Sequence, residues 1–241
     1  AMIAIGLDGF RKGWVAVTLH GDRAAINFVP DICWLRSQRF TIAAIDIPIG
    51  LSDDGERACD REARALLRPH GSRVFSGARR WLWRDFGYPQ DFAKANQAAA
   101  ARGQTRMSLQ LWHLGPKIIE VDQFVRTNRD LDLRESHPEL VFRRLNGERP
   151  LPSKHSADGL KLRRDLLIGR GVVQIDDWLA SARIGSGAKA DDVLDACACA
   201  LAARDLAAFD RTERCGDRSE RCVPRGEPPR DDHGLPMQIW Y

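Results

Sequence analysis

The chain has 241 residues, 44% of them hydrophobic, and a formal net charge of +4. That is enough apolar material for the core of one large domain, and too small a basic excess to demand a polyanionic partner. No apolar run approaches membrane-span length and no signal-peptide pattern is present, so a soluble cytoplasmic protein is expected.

In chain order, Ile3–Leu7 alternates large and small residues, placing Ile3, Ile5 and Leu7 on one face and Ala4, Gly6 and Asp8 on the other. The small-residue face predicts close approach of a helix or ligand beside Asp8. An Asp-Gly hairpin turn is the structural alternative for that residue. A turn over Gly9–Gly13 leads to strands over 14–19 and 25–29, and residues 31–39 read as a short helix. The run Arg39–Leu51 is apolar, β-branched and closed by Pro48 and Gly50, the profile of a strand buried on both faces. Asp46 stands out within it. A carboxylate in low dielectric is costly without a cation or donors, so Asp46 is either a structural ion-pair partner or a functional carboxylate at the carboxyl end of a central strand.

Next comes an amphipathic helix over 56–68. It carries Arg57, Arg61, Arg64 and Arg68 at offsets of four, seven and eleven, a basic stripe suited to phosphates or to water. Arg73, Arg79, Arg80 and Arg84 follow, interleaved with Phe75, Trp81, Trp83, Phe86 and Tyr88. That mixture suits a nucleic-acid surface, and aromatics packed as a lid on the core would look the same. Residues 90–127 read as helical with breaks at Gly103 and Gly115-Pro116, and 131–135 as a strand ending in Glu135. Ser136–Glu139 reads as a capping box, which gives Glu139 a structural task and leaves Glu135 as a further site candidate. A loop over 147–156 contains Lys154, and a helix follows over 157–168.

A last long helix opens on Ala188-Lys-Ala-Asp-Asp-Val-Leu-Asp195 and continues alanine-rich. Asp192 and Asp195 are about 60° apart around such a helix, so both can reach one point. The helix macrodipole explains acids in the first turn better than it explains Asp195. Packed beside Asp8 and Asp46, these residues would form a carboxylate cluster that makes sense only with divalent cations or shared protons. Residues 210–233 read as a solvated loop, and the closing Met237–Tyr241 as a packed strand. Of the six cysteines, Cys215 and Cys222 match no common zinc spacing and are either free thiols or a bridged pair.

Gly6-Leu-Asp-Gly-Phe-Arg-Lys-Gly-Trp14, Asp46-Ile-Pro-Ile-Gly-Leu51, Arg57-x-Cys-Asp60, Gly71–Phe75, Pro116–Asp122, His137-Pro-Glu139 and Ala190–Ala196 together resemble the signatures of a bacterial family, domain of unknown function 429, described as predicted ribonuclease H-like nucleases. The resemblance implies one α/β domain over 1–241. Its ribonuclease H-like mixed sheet would have three antiparallel strands followed by crossover strands, helices on both faces, and a mainly helical insertion at about 52–128. In that fold the first and fourth strands lie side by side and each presents an acid to a two-metal site. Asp192-x-x-Asp195-Ala is also similar to the final helix of Holliday-junction resolvases, which commonly carry Glu on the fourth strand where this chain has Asp46.

The expected activity is metal-dependent hydrolysis of DNA or RNA. Asp8, Asp46, Asp192 and Asp195 would hold Mg²⁺ or Mn²⁺, two ions about 3.5–4 Å apart. Arg57, Arg61, Arg64, Lys117 and Lys154 are the candidate phosphate-binding residues. The alternative is a catalytically silent nucleic-acid- or protein-binding module. An actin-like or sugar-kinase phosphotransferase lacks support, since the glycine-rich phosphate loops are missing.

Overall fold

The alternation in the first strand decides how the sheet is covered. In the computed structural model, which describes residues 2–53, 55–211 and 218–241, β1 (Ile3–Phe10), β2 (Gly13–His20) and β3 (Arg23–Val29) form an antiparallel meander. The β1–β2 turn is Arg11-Lys12, because Phe10 pairs with Gly13. Asp8 therefore lies inside β1 opposite Val15 and is not a turn residue.

A 3₁₀ turn at Ile32–Ser37, capped by Asp31, leads to β4 (Ile42–Ile45), parallel to β1, and β5 (Leu133–Glu135) then pairs parallel with β4. The result is a five-stranded mixed sheet in the order β3-β2-β1-β4-β5. Four helices separate β4 from β5: α1 (Ala58–Leu66), α2 (Arg80–Asp85), α3 (Phe92–Ala101) and α4 (Leu109–Thr127). After β5 come α5 (Pro138–Leu145), α6 (Ala157–Gly169), α7 (Ile175–Gly185) and α8 (Ala190–Arg211). α7 lies in a stretch for which the sequence predicts no element. β6 (Cys222–Val223) and β7 (Ile239–Trp240) make a separate two-stranded ribbon.

Each face of the sheet has its own core. Ala4, Val15, Val17 and Ala44 pack with α5–α8 and with Cys59 and Ala63 of α1. Ile5, Leu7, Trp14, Ala16 and Ile45 pack with α2–α4. The first contact is very close: a Cβ built on Gly6 would lie 2.0 Å from Ala200 N and 2.2 Å from Ala196 O. Glycine in the strand and alanine in the helix are thus jointly required for α8 to seat on β1.

Several expectations are corrected. Gly115-Pro116 does not break a helix, because α4 runs through it. Pro116 lacks the N–H that would bond to the Trp112 carbonyl, and the indole of Trp83 donates to that carbonyl instead, at 3.2 Å. Gly115 makes room, since a Cβ there would lie 1.9 Å from Trp83 Nε1. Ser136 does not cap α5. His137 holds the N-cap position without a side-chain cap bond, and the buried Ser136 side chain faces Cys199 of α8. Of the polar loop expected over 210–233, residues 225–227, 229–230 and 232–233 are exposed, while Cys222, Val223 and Pro224 are buried. Asp231 is buried, paired with Arg80, and accepts from the amides of Leu51 (3.0 Å) and Leu235 (2.9 Å). Cys215 lies outside the described residues, while Met237–Tyr241 is packed as expected, Tyr241 being 7% exposed. No helix among the described residues is long and apolar enough to cross a membrane.

Candidate functional site

Parallel pairing of β1 with β4 sets Leu7 opposite Ile45, so both strands deliver an aspartate at the same end. Asp8 is the next residue of β1. Asp46 is the first residue beyond β4, its amide bonded to Leu7 O at 3.1 Å. The N-terminal turns of α8, held against β1 through Gly6, bring Asp192 and Asp195 to the same place. Asp8, Asp46, Asp192 and Asp195 line one pocket of about 420 Å³, together with Glu135, His137, Glu139 and Lys154. All four aspartates singled out in the sequence thus line this one pocket.

Their electrostatics differ. Neither Asp8 nor Asp46 makes a side-chain hydrogen bond or ion pair within the described residues. Burial, with the facing Asp195, Asp46 and Asp192, pushes the Asp8 carboxyl well above the ordinary range. Burial lifts Asp46 to about 7, with Lys154 opposing the rise and Glu139 adding to it. Asp195 is 4% exposed and also raised to about 7 by burial, against the pull of Lys154. Lys154 Nζ lies 2.7 Å from Asp195 Oδ2 and 3.5 Å from Asp191 Oδ2. Asp195 Oδ1 is buried with no hydrogen-bond partner among the described residues. Asp192 is half-buried, and its Oδ2 accepts from Lys189 N at 2.7 Å, a cap that explains part of its presence.

The other candidates separate by geometry. Glu135 lines the pocket, but its oxygens are taken: Arg57 binds both, each at 2.7 Å, and the Ile49 amide adds a third bond at 2.8 Å. Arg57, 3% exposed, also bonds Asp60 and the carbonyls of Ile49 and Gly50. It staples the segment after β4 to α1 and β5 and is not available to a phosphate. The basic stripe is therefore split. Arg61 is exposed and lies outside the pocket lining, while Arg64 bonds Ser76 Oγ at 2.8 Å. Lys117 runs past Gly9 to the Gly13 carbonyl, at 2.7 Å, over the Trp14 ring. Of the five basic candidates Arg57 and Lys154 line the pocket, and Arg57 is already engaged by Glu135 and Asp60.

The Arg/aromatic run is largely core as well. Arg79, Arg80 and Trp81 are buried, Arg80 bridging Asp122 and Asp231. Phe75 and Tyr88 are the ones left exposed among its aromatics, and Phe75 lines the pocket.

Two pocket groups had no functional expectation. Glu139 is clamped between Arg163 and Arg73, forming part of the pocket wall. His137 Nε2 lies 3.3 Å from the Arg73 carbonyl, which can only accept, so Nε2 carries the hydrogen and Nδ1 the lone pair. That Nδ1 is buried and unpartnered, and burial lowers the imidazole's affinity for a second proton. His137-Pro-Glu139 stood among the quoted motifs, but nothing in local spacing distinguishes a pocket histidine from a capping one.

The donor set is chemically suited to Mg²⁺ or Mn²⁺: carboxylate oxygens, one of them buried with no partner among the described residues. Among the described residues no three such groups already converge as ligands. A cation would have to draw the carboxylates together and displace Lys154 from Asp195.

A model of the family described as "Protein of unknown function (DUF429)" matches residues 6–221, and the chain belongs to that family. No curated protein and no solved structure matches it.

Proposed function

We propose that this family member is a metal-dependent hydrolase of phosphodiester bonds in DNA or RNA, on a ribonuclease H-like scaffold. The observation that carries the proposal is the convergence of Asp8, Asp46 and Asp195 from β1, β4 and α8 in one pocket, with Asp195 Oδ1 buried and unpartnered. The β3-β2-β1-β4-β5 order, with acids on the adjacent first and fourth strands, supports the ribonuclease H-like assignment.

Asp8, Asp46 and Asp195 would hold the cations, with Asp192 contributing once released from its cap. When bound, Mg²⁺ or Mn²⁺ supplies Lewis-acid polarisation of the phosphoryl group and lowers the pKa of a coordinated water. The chain's own groups do the rest. Lys154, freed from Asp195, offers an ammonium to a phosphate oxygen. His137, its Nε2–H donated to the Arg73 carbonyl, forms part of the pocket wall. Arg57 and Glu135 keep the segment carrying Asp46 in place. A second reading, a binding module without turnover, is favoured by the Lys154–Asp195 pair, which already neutralises one carboxylate.

Calorimetric titration of Mn²⁺ separates the two. The wild type is expected to bind Mn²⁺, and Asp46→Asn and Asp195→Asn, each with a cooperative melt, are expected to lose it. Wild-type protein that binds no Mn²⁺ in the presence or absence of an oligonucleotide would remove the metal centre and leave the silent module.

A further inference from the structure

The carboxylates do not sit on an open sheet edge. Besides β1, β4 and α8, their pocket is lined by Ser72–Phe75 and by Gln110 and Leu114 from the segment between β4 and β5. Ser153, Lys154 and His155 from the loop before α6 line a further side. Its volume, about 420 Å³, belongs to the size class of small-molecule sites, roughly 300–1,000 Å³. An internal phosphodiester can be reached only if the chain continues past the site in both directions, which requires a through-running groove. A pocket of this size, lined from several sides and open to solvent on another, has room for about one nucleotide, which suits the end of a strand. It also holds a platform for a base: Phe75 is 37% exposed, in a protein whose other phenylalanines between β4 and β5 are more covered. Bare aromatic faces of this kind stack on unpaired bases.

We propose, on the basis of the hydrolase reading above, that the pocket acts on the terminal nucleotide of a single strand, its base on Phe75 and its phosphate at Lys154 and the carboxylates. In the step, a water oxygen bonds to phosphorus and the phosphorus–oxygen bond to the neighbouring nucleotide breaks. The bonding pair leaves with that oxygen, which gains a proton. The proton lost by the attacking water passes to solvent. One mononucleotide is released and the strand is one residue shorter.

The test compares one oligonucleotide in linear and covalently circularised form, as DNA and as RNA, with the full chain and Mn²⁺. The expected result is stepwise release of mononucleotides from the linear strand, with the circle left intact; the DNA and RNA arms identify the sugar. Phe75→Ala should raise KM for the linear strand by about tenfold. Opening of the circle at a rate comparable to linear cleavage overturns the strand-end inference while leaving the hydrolase reading in place. An unchanged KM in Phe75→Ala overturns the stacking role. Cleavage of neither form, by protein that melts cooperatively, removes the hydrolase reading and this inference with it.

Discussion

Asp46 is where a single residue can be tested most directly. Its carboxyl titrates at about 7 in the folded chain, because burial outweighs the opposing Lys154. In the unfolded chain it titrates near the ordinary value of 3.8. Between those limits the folded state holds a proton that the unfolded state has released, so stability from this group falls as pH rises from about 4 to about 7. Asp195 and Asp8 act in the same direction. Asp46→Asn removes the penalty. We expect the variant to melt a few degrees above wild type at pH 8, with the gain shrinking steadily toward pH 5. A gain independent of pH, or a loss at pH 8, would show that Asp46 is paired in solution. The oddity of an aspartate in an apolar strand is visible in the sequence; whether a partner waits for it is not. Glu135 shows the opposite outcome for a similar signal, its charge met by Arg57, 78 positions away.

At the level of elements, the site depends on how α8 lies on β1. The would-be Cβ of Gly6 meets main-chain atoms of Ala196 and Ala200, which cannot turn aside as a side chain could. Gly6→Ala should therefore destabilise by about 1–3 kcal/mol or more, as overpacking does, and shift Asp195 relative to Asp8. The checks are the urea midpoint and Mn²⁺ affinity measured on the same sample; a variant unchanged in both would refute this account of the contact. The alternation in Ile3–Leu7 and the alanines of α8 made the close approach legible in advance. The course of α4 was not legible, because Gly115-Pro116 breaks a helix unless something fills the notch. Trp83, from another helix, supplies the missing donor.

For the molecule as a whole, metal binding and folding should be coupled. A cation that requires Asp8, Asp46 and Asp195 ionised and assembled binds only the native state. At a hundredfold excess over Kd it then adds about 2.7 kcal/mol of stability. Because the carboxylates give up protons on binding, the Mn²⁺-induced rise in Tm should grow from pH 6 to pH 8. Asp195→Asn should show none. A rise that persists in Asp195→Asn would place the cation elsewhere on the protein.

Alternation, apolar runs and helix faces could be read from the chain because they follow from local backbone geometry, and they sufficed for most of the strands; the expectation of Asp8, Asp46, Asp192 and Asp195 as companions came from the resemblance to a known fold. The fate of the arginines could not. Arg80 finds Asp122 and Asp231, 42 and 151 positions away, and Arg163 finds Glu139 across the gap between α5 and α6. Periodicity tells which way a side chain points but not what stands opposite. A guanidinium that looks ready for phosphate is thereby turned into a buried brace, and a histidine at the mouth of a helix becomes a pocket wall. Those assignments belong to folding in three dimensions, where charges distant in sequence are brought out of water together and each must be matched.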